Sequence, residues 1–223
     1  MPITMIDRFH PGRRALLQAA IDAGQIQQVD ELALLEPEQL MPMARLSLQL
    51  FLFSGIFFIV LNLATYTWRT GQHGAALSPG LVFLWIGINI LSYIVMLPIH
   101  ELLHGATIAL LGGKPHYGAK MPFALYCGAK DQMFSRNYYL AIALAPLVVI
   151  SLAAIIFTLL APGLSPFVLF ASVGNVSGAA GDLWAIRRLR ALPASVLVED
   201  LETGYRAWQV TSPGAHGTIE PTV

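Results

Sequence analysis

From Val82 to Ile99 the chain carries no charged side chain, and it then reads His100-Glu101. A helix of about 20 apolar residues crosses the roughly 30 Å hydrocarbon core of a bilayer, and this run is close to that length. A charged group in such a place costs about 2.5 to 3.5 kcal/mol on insertion scales. Any fold for this chain must surround the run with apolar groups and give Glu101 a compensating role.

Four segments are long enough to cross: Leu46–Trp68, Leu81–Leu111, Tyr138–Leu160 and Pro166–Ile186. The composition agrees, since 12% of residues are charged where soluble domains carry about 25%; mean hydropathy is +0.63. The expected fold is therefore an all-α integral membrane protein with four transmembrane helices. Its core is residues 46–190, between a cytosolic or interfacial N-terminal segment, 1–45, and a cytosolic tail, 191–223. Within 1–45, "RRALLQAAIDAG" and "VDELALLEPEQL" read as short surface helices closed by glycine or proline. Pro98 is expected to kink the second span, and Gly112 and Gly113 to end it. The first twenty residues lack an apolar stretch of useful length, so no cleavable signal peptide is expected.

Positive charges near span ends set orientation. Arg45 precedes the first span, Lys114, Lys120, Lys130 and Arg136 lie between the second and third, and Arg187, Arg188 and Arg190 follow the fourth. Only Arg69 stands on the other side. Both termini and the central loop are thus expected in the cytosol. The formal net charge is zero, so no nucleic-acid partner is expected. One cysteine, Cys127, excludes an internal disulfide and a multi-cysteine zinc site.

His100, Glu101 and His104 form His-Glu-x-x-His. Four residues make about 400° of helical turn, so both imidazoles leave one face at a separation that one zinc ion can bridge. Glu101 stands beside them as candidate general base for an attacking water. At this chain's own His and Glu frequencies the pattern arises by chance roughly 0.005 times, which favours a metal site over interfacial histidines with a snorkelling glutamate.

A catalytic zinc normally has three protein ligands. The His-x-x-Gly-x-x-His continuation fails at Thr107 and Leu110, and no glutamate occurs from 105 to 198. The carboxylates in that interval are Asp131, in a charged loop, and Asp182, inside the fourth span. At 1.5 Å per residue His100 lies about 28 Å from Leu81 and Asp182 about 24 Å from Pro166, so their depths match. Gly174, Gly178, Gly181 and Ala185 share a face with Asp182 and favour close helix approach. Asn175 lies on that face too, either as a donor to substrate or oxyanion or as a plain interhelical contact.

The His-Glu-Leu-Leu-His-Gly run, "ALAP" at 143–146 and "NVSGAAGD" resemble the zincin peptidases of bacterial membranes, relatives of the site-2 protease class. The resemblance spans about residues 80–190. It implies an intramembrane zinc site with His100, His104 and Asp182 as ligands, Glu101 as catalytic base, a membrane-protein substrate and a place in the bacterial cytoplasmic membrane. The site-2 proteases carry Asn-Pro-x-Pro followed by Leu-Asp-Gly; here Asn175 and Asp182 remain without the prolines, and Leu183 follows the aspartate. Such an enzyme would hydrolyse a peptide bond within or next to a membrane segment. The rival reading is a zinc-stabilised adaptor, chaperone or small-solute carrier, against which Glu101 weighs because metal binding alone does not require it.

The loop "KPHYGAKMPFALYCGAKDQ" reads either as a β-hairpin or as a plain connection. As a hairpin it offers an edge that could hold an extended substrate. His116 within it is expected at the surface rather than in the site.

Overall fold

The computed structural model describes residues 3–73, 78–120, 124–201 and 203–211. In chain order the elements are β1 (Thr4–Ile6), α1 (Pro11–Asp22), β2 (Ile26–Ala33), α2 (Pro37–Thr70), α3 (Pro79–Leu110), β3 (His116–Lys120) and β4 (Ala124–Gly128). They continue with β5 (Gln132–Ser135), α4 (Arg136–Leu160), α5 (Leu169–Gly178), α6 (Ala180–Arg190), β6 (Leu197–Leu201) and β7 (Gly204–Val210).

α2, α3 and α4 are long and apolar enough to cross a membrane. α2 starts with Pro37, whose missing N–H costs nothing in the first turn, and stops at Gly71, which takes the left-handed conformation at φ 69°. Ser78 caps α3 by accepting from Leu81 N. α3 runs unbroken through Pro98 and ends before Gly112, whose φ is 93°. Side chains such as Phe53, Phe83 and Leu160 point outward with 72%, 75% and 67% exposure. So much open apolar surface on three neighbouring helices calls for an apolar solvent.

The expected fourth span is not one helix. A 3-10 turn, Ser165–Val168, leads into α5, and the helix breaks at Ala179 before α6. Three polar side chains satisfy the backbone freed at the start of this run: Asn62 and Trp85 donate to Pro162 O and Pro166 O, and Asn89 accepts from Phe170 N.

The expectation of an all-α protein is corrected by a five-stranded sheet in the order β1-β5-β6-β7-β2, parallel at β1–β5 and antiparallel elsewhere. "VDELA", expected in a surface helix, lies in β2. Its partner decides this: β2 pairs with β7 along most of its length, from Ile26↔Val210 to Ala33↔Gly204, and buries Leu32. Local helical periodicity carries no record of such a distant ladder. The sheet and the helix ends over it hold the core, with Phe134, Leu189, Val198 and Tyr205 wholly buried. A separate antiparallel pair, β3–β4, occupies the segment read as hairpin or loop. The turn between these strands, 121–123, and the tail from 212 lie outside the described residues.

Candidate metal centre

α3 is regular through the motif, so His100 and His104 leave the same face, with ring centroids 5.0 Å apart. Both are buried. α5 and α6 bring Asp182 against them from the other end of the chain. Close approach rests on Gly174, where a Cβ would lie 2.4 Å from the Tyr93 ring of α3. The other small residues act differently. Gly178 meets nothing within 4 Å, Gly181 faces Leu34, and Ala185 is buried in the core.

Asp182 Oδ2 stands 3.3 Å from His100 Nε2 and 3.6 Å from His104 Nε2. Two donors bound to one tetrahedral zinc at about 2.1 Å lie about 3.4 Å apart. The outer ring nitrogens are already committed. His100 Nδ1 donates to Asn175 Oδ1 at 3.0 Å, and His104 Nδ1 donates to Ile142 O at 2.9 Å. With Nδ1 as the donor, each neutral imidazole turns its Nε2 lone pair toward a carboxylate oxygen. A bound cation satisfies three such converging acceptors. The donor set therefore fits zinc, and one atom from each of the three residues lies within 4.8 Å of the others.

Glu101 lines the same cleft, of about 240 Å³, which opens between the helices and the sheet. Asp131 does not join the cluster; it takes φ 56° in the turn before β5 and accepts from Thr4 N. Asn175 has no exposure, and its Nδ2 lies 3.3 Å from Ser151 Oγ. Both ends of its amide are thus occupied within the protein. His116 is exposed and lines a different cleft.

The sheet contributes a wall that the sequence reading missed. Asp200, in β6, lines the cleft and accepts from Tyr139 OH at 3.0 Å and from Ala129 N. Burial pushes its carboxyl up to about 7, against the pull of those two hydrogen bonds. Asp200 lies just beyond the interval 105–198 that holds Asp131 and Asp182; the aromatic and β-branched residues of β7, "GYRAWQV", are the sign of a strand near it. Cys127, in β4, borders Glu101, and burial pushes its thiol up to about 12. It stays neutral and offers no thiolate nucleophile.

The helix of His100 and His104, the adjoining Glu101 and the distant Asp182 thus make one convergent site, and a comparison with known families bears on it directly. Residues 93–197 match the model of a family described as "Putative zincin peptidase". The matched stretch contains all five residues singled out in the sequence and ends before Asp200. The match supports a metallopeptidase that uses zinc. No curated protein and no solved structure matches the chain.

Proposed function

We propose that the chain is an intramembrane zinc metalloprotease, related to the site-2 proteases, that hydrolyses a peptide bond within or next to a membrane segment. One observation carries this reading: His100, His104 and Asp182 present three converging acceptors directly beside Glu101.

Zinc held by those three residues would supply Lewis-acid polarisation of the scissile carbonyl and make water a stronger acid. Glu101 takes the proton of the attacking water and delivers it to the departing amine nitrogen. Asn175 acts through His100, fixing its tautomer and ring direction, and Ile142 O does the same for His104. β4 lines the cleft and among the described residues pairs only with β3, so its second edge can hold a substrate backbone extended beside Glu101.

The sheet also supports the membrane topology. Strands from the N-terminal segment, from the stretch between α3 and α4 and from the C-terminal segment all pair in it. These three parts therefore share one side, and the positive charges near the span ends favour the cytosol for it. α4 leaves that side and β6 returns to it, so the run through α5 and α6 makes the fourth crossing in two pieces.

The test uses Glu101→Gln in the full chain. Wild type and variant should each hold one zinc, while only wild type releases fragments of a co-expressed single-span substrate. Zinc retention with unchanged cleavage removes Glu101 as base. Zinc retention with no cleavage by either protein favours the adaptor or carrier reading.

A further inference from the structure

Away from the metal, a second cleft of about 840 Å³ opens between α1, β1 and the turns that flank β3 and β5. Arg14, Lys114, Lys130 and His116 line it, against one carboxylate, Asp131. Among the described residues, neither lysine nor Arg14 has an acidic side chain within 4.0 Å. The volume lies within the range of small-ligand sites, about 300 to 1,000 Å³. Among the described residues no Phe, Tyr or Trp side chain lines it.

Its place in the fold points to the source of the anion. Lys114 follows the end of α3, where Leu110 is 66% exposed. Arg8 Nη1 donates to Leu110 O at 3.4 Å, and Asp7 Oδ1 accepts from Tyr138 OH in the first turn of α4 at 3.1 Å. The segment leading into α1 is thereby pinned to the ends of two apolar helices, at the level where a bilayer would give way to water. Phe9 and Leu16 on this segment and on α1 are exposed, at 63% and 76%. Basic pockets at such a boundary attract anionic headgroups, by about 1 kcal/mol for each Lys or Arg near the surface.

We propose that this cleft binds the phosphate headgroup of an anionic membrane lipid in the leaflet on the sheet side. Arg14, Lys114 and Lys130 neutralise the phosphate, and the acyl chains extend toward the bilayer that α3 and α4 enter. The inference rests on α2, α3 and α4 crossing a membrane, but not on proteolysis.

The full chain, purified in a non-ionic detergent, is titrated with dihexanoyl phosphatidylglycerol, dihexanoyl phosphatidylcholine and glycerol 3-phosphate, and binding is counted by native mass spectrometry. Wild type should hold one phosphatidylglycerol at least tenfold more tightly than either of the others. R14Q/K114Q/K130Q should weaken it by tenfold or more while keeping wild-type zinc content and melting temperature. If the triple variant does not fold, K114Q and K130Q are measured singly, each expected to lose severalfold. Equal affinity for phosphatidylcholine, or unchanged affinity in the folded variants, overturns the proposal. Glycerol 3-phosphate binding as tightly as the lipid also overturns it, by making the ligand a soluble phosphate. Recovery of the chain outside the membrane fraction would instead remove the membrane reading beneath it.

Discussion

In the proposed zinc site each of the three converging side chains holds the metal, so the ligands should respond individually. His100→Ala and His104→Ala should lose zinc, as read by metal content of the purified chain. Asp182→Asn should weaken zinc binding, and Asp131→Asn should not. Asn175→Ala leaves every ligand in place but frees His100 Nδ1; zinc affinity should fall about 10- to 100-fold, the usual cost of losing an outer partner. Asp200 makes a pH prediction. Its carboxyl is held up to about 7 in the folded chain against 3.8 for the free group, so folding takes up a proton between those values. Stability therefore declines as pH rises from about 4 through 7. Asp200→Asn can still accept from Ala129 N and donate to Tyr139 OH, which then donates to Gly204 O. Its melting temperature should match or exceed wild type at pH 8, with a flatter profile from pH 5 to 8; a profile parallel to wild type contradicts the assignment.

The elements differ in how far the sequence discloses them. His-Glu-x-x-His is legible because four residues on a helix fix their own geometry, and Asp182 because few carboxylates compete. The depth reckoned along one unbroken helix does not carry over, since the run starts in a 3-10 turn and breaks at Ala179. The sheet is illegible for the opposite reason. β1, β5 and β6 are short, their partners are far along the chain, and pairing across such distances leaves little mark on local periodicity. Yet the sheet bears on the site, because Asp30 of β2 binds Arg188 of α6 at 3.1 Å and Tyr205 of β7 at 2.7 Å, holding the helix that carries Asp182. Gly204 closes this arrangement. At φ 141° it lies where a side chain is strained, and a Cβ would meet Leu32 O at 1.9 Å. Gly204→Ala should lower the melting temperature by about 5 °C or more. Faster amide exchange in β2 and β7, with α3 unchanged, would locate the damage.

At the scale of the molecule, apolar helices stand against a sheet, and the candidate metal centre lies at their junction. Reporter fusions at either terminus and an insertion between α3 and α4 should report one side of the membrane, the cytosolic one. An opposite result for any of the three would break the sheet that joins them. The central claim is that this junction cuts peptide bonds by way of Glu101, and the most direct measurement is a quantitative profile of new protein termini in membranes from cells making wild type or Glu101→Gln. The expected result is at least one single-span protein cut in or beside its membrane segment with wild type and accumulating intact with Glu101→Gln. Identical terminus profiles in the two membranes, with equal zinc bound, would contradict it.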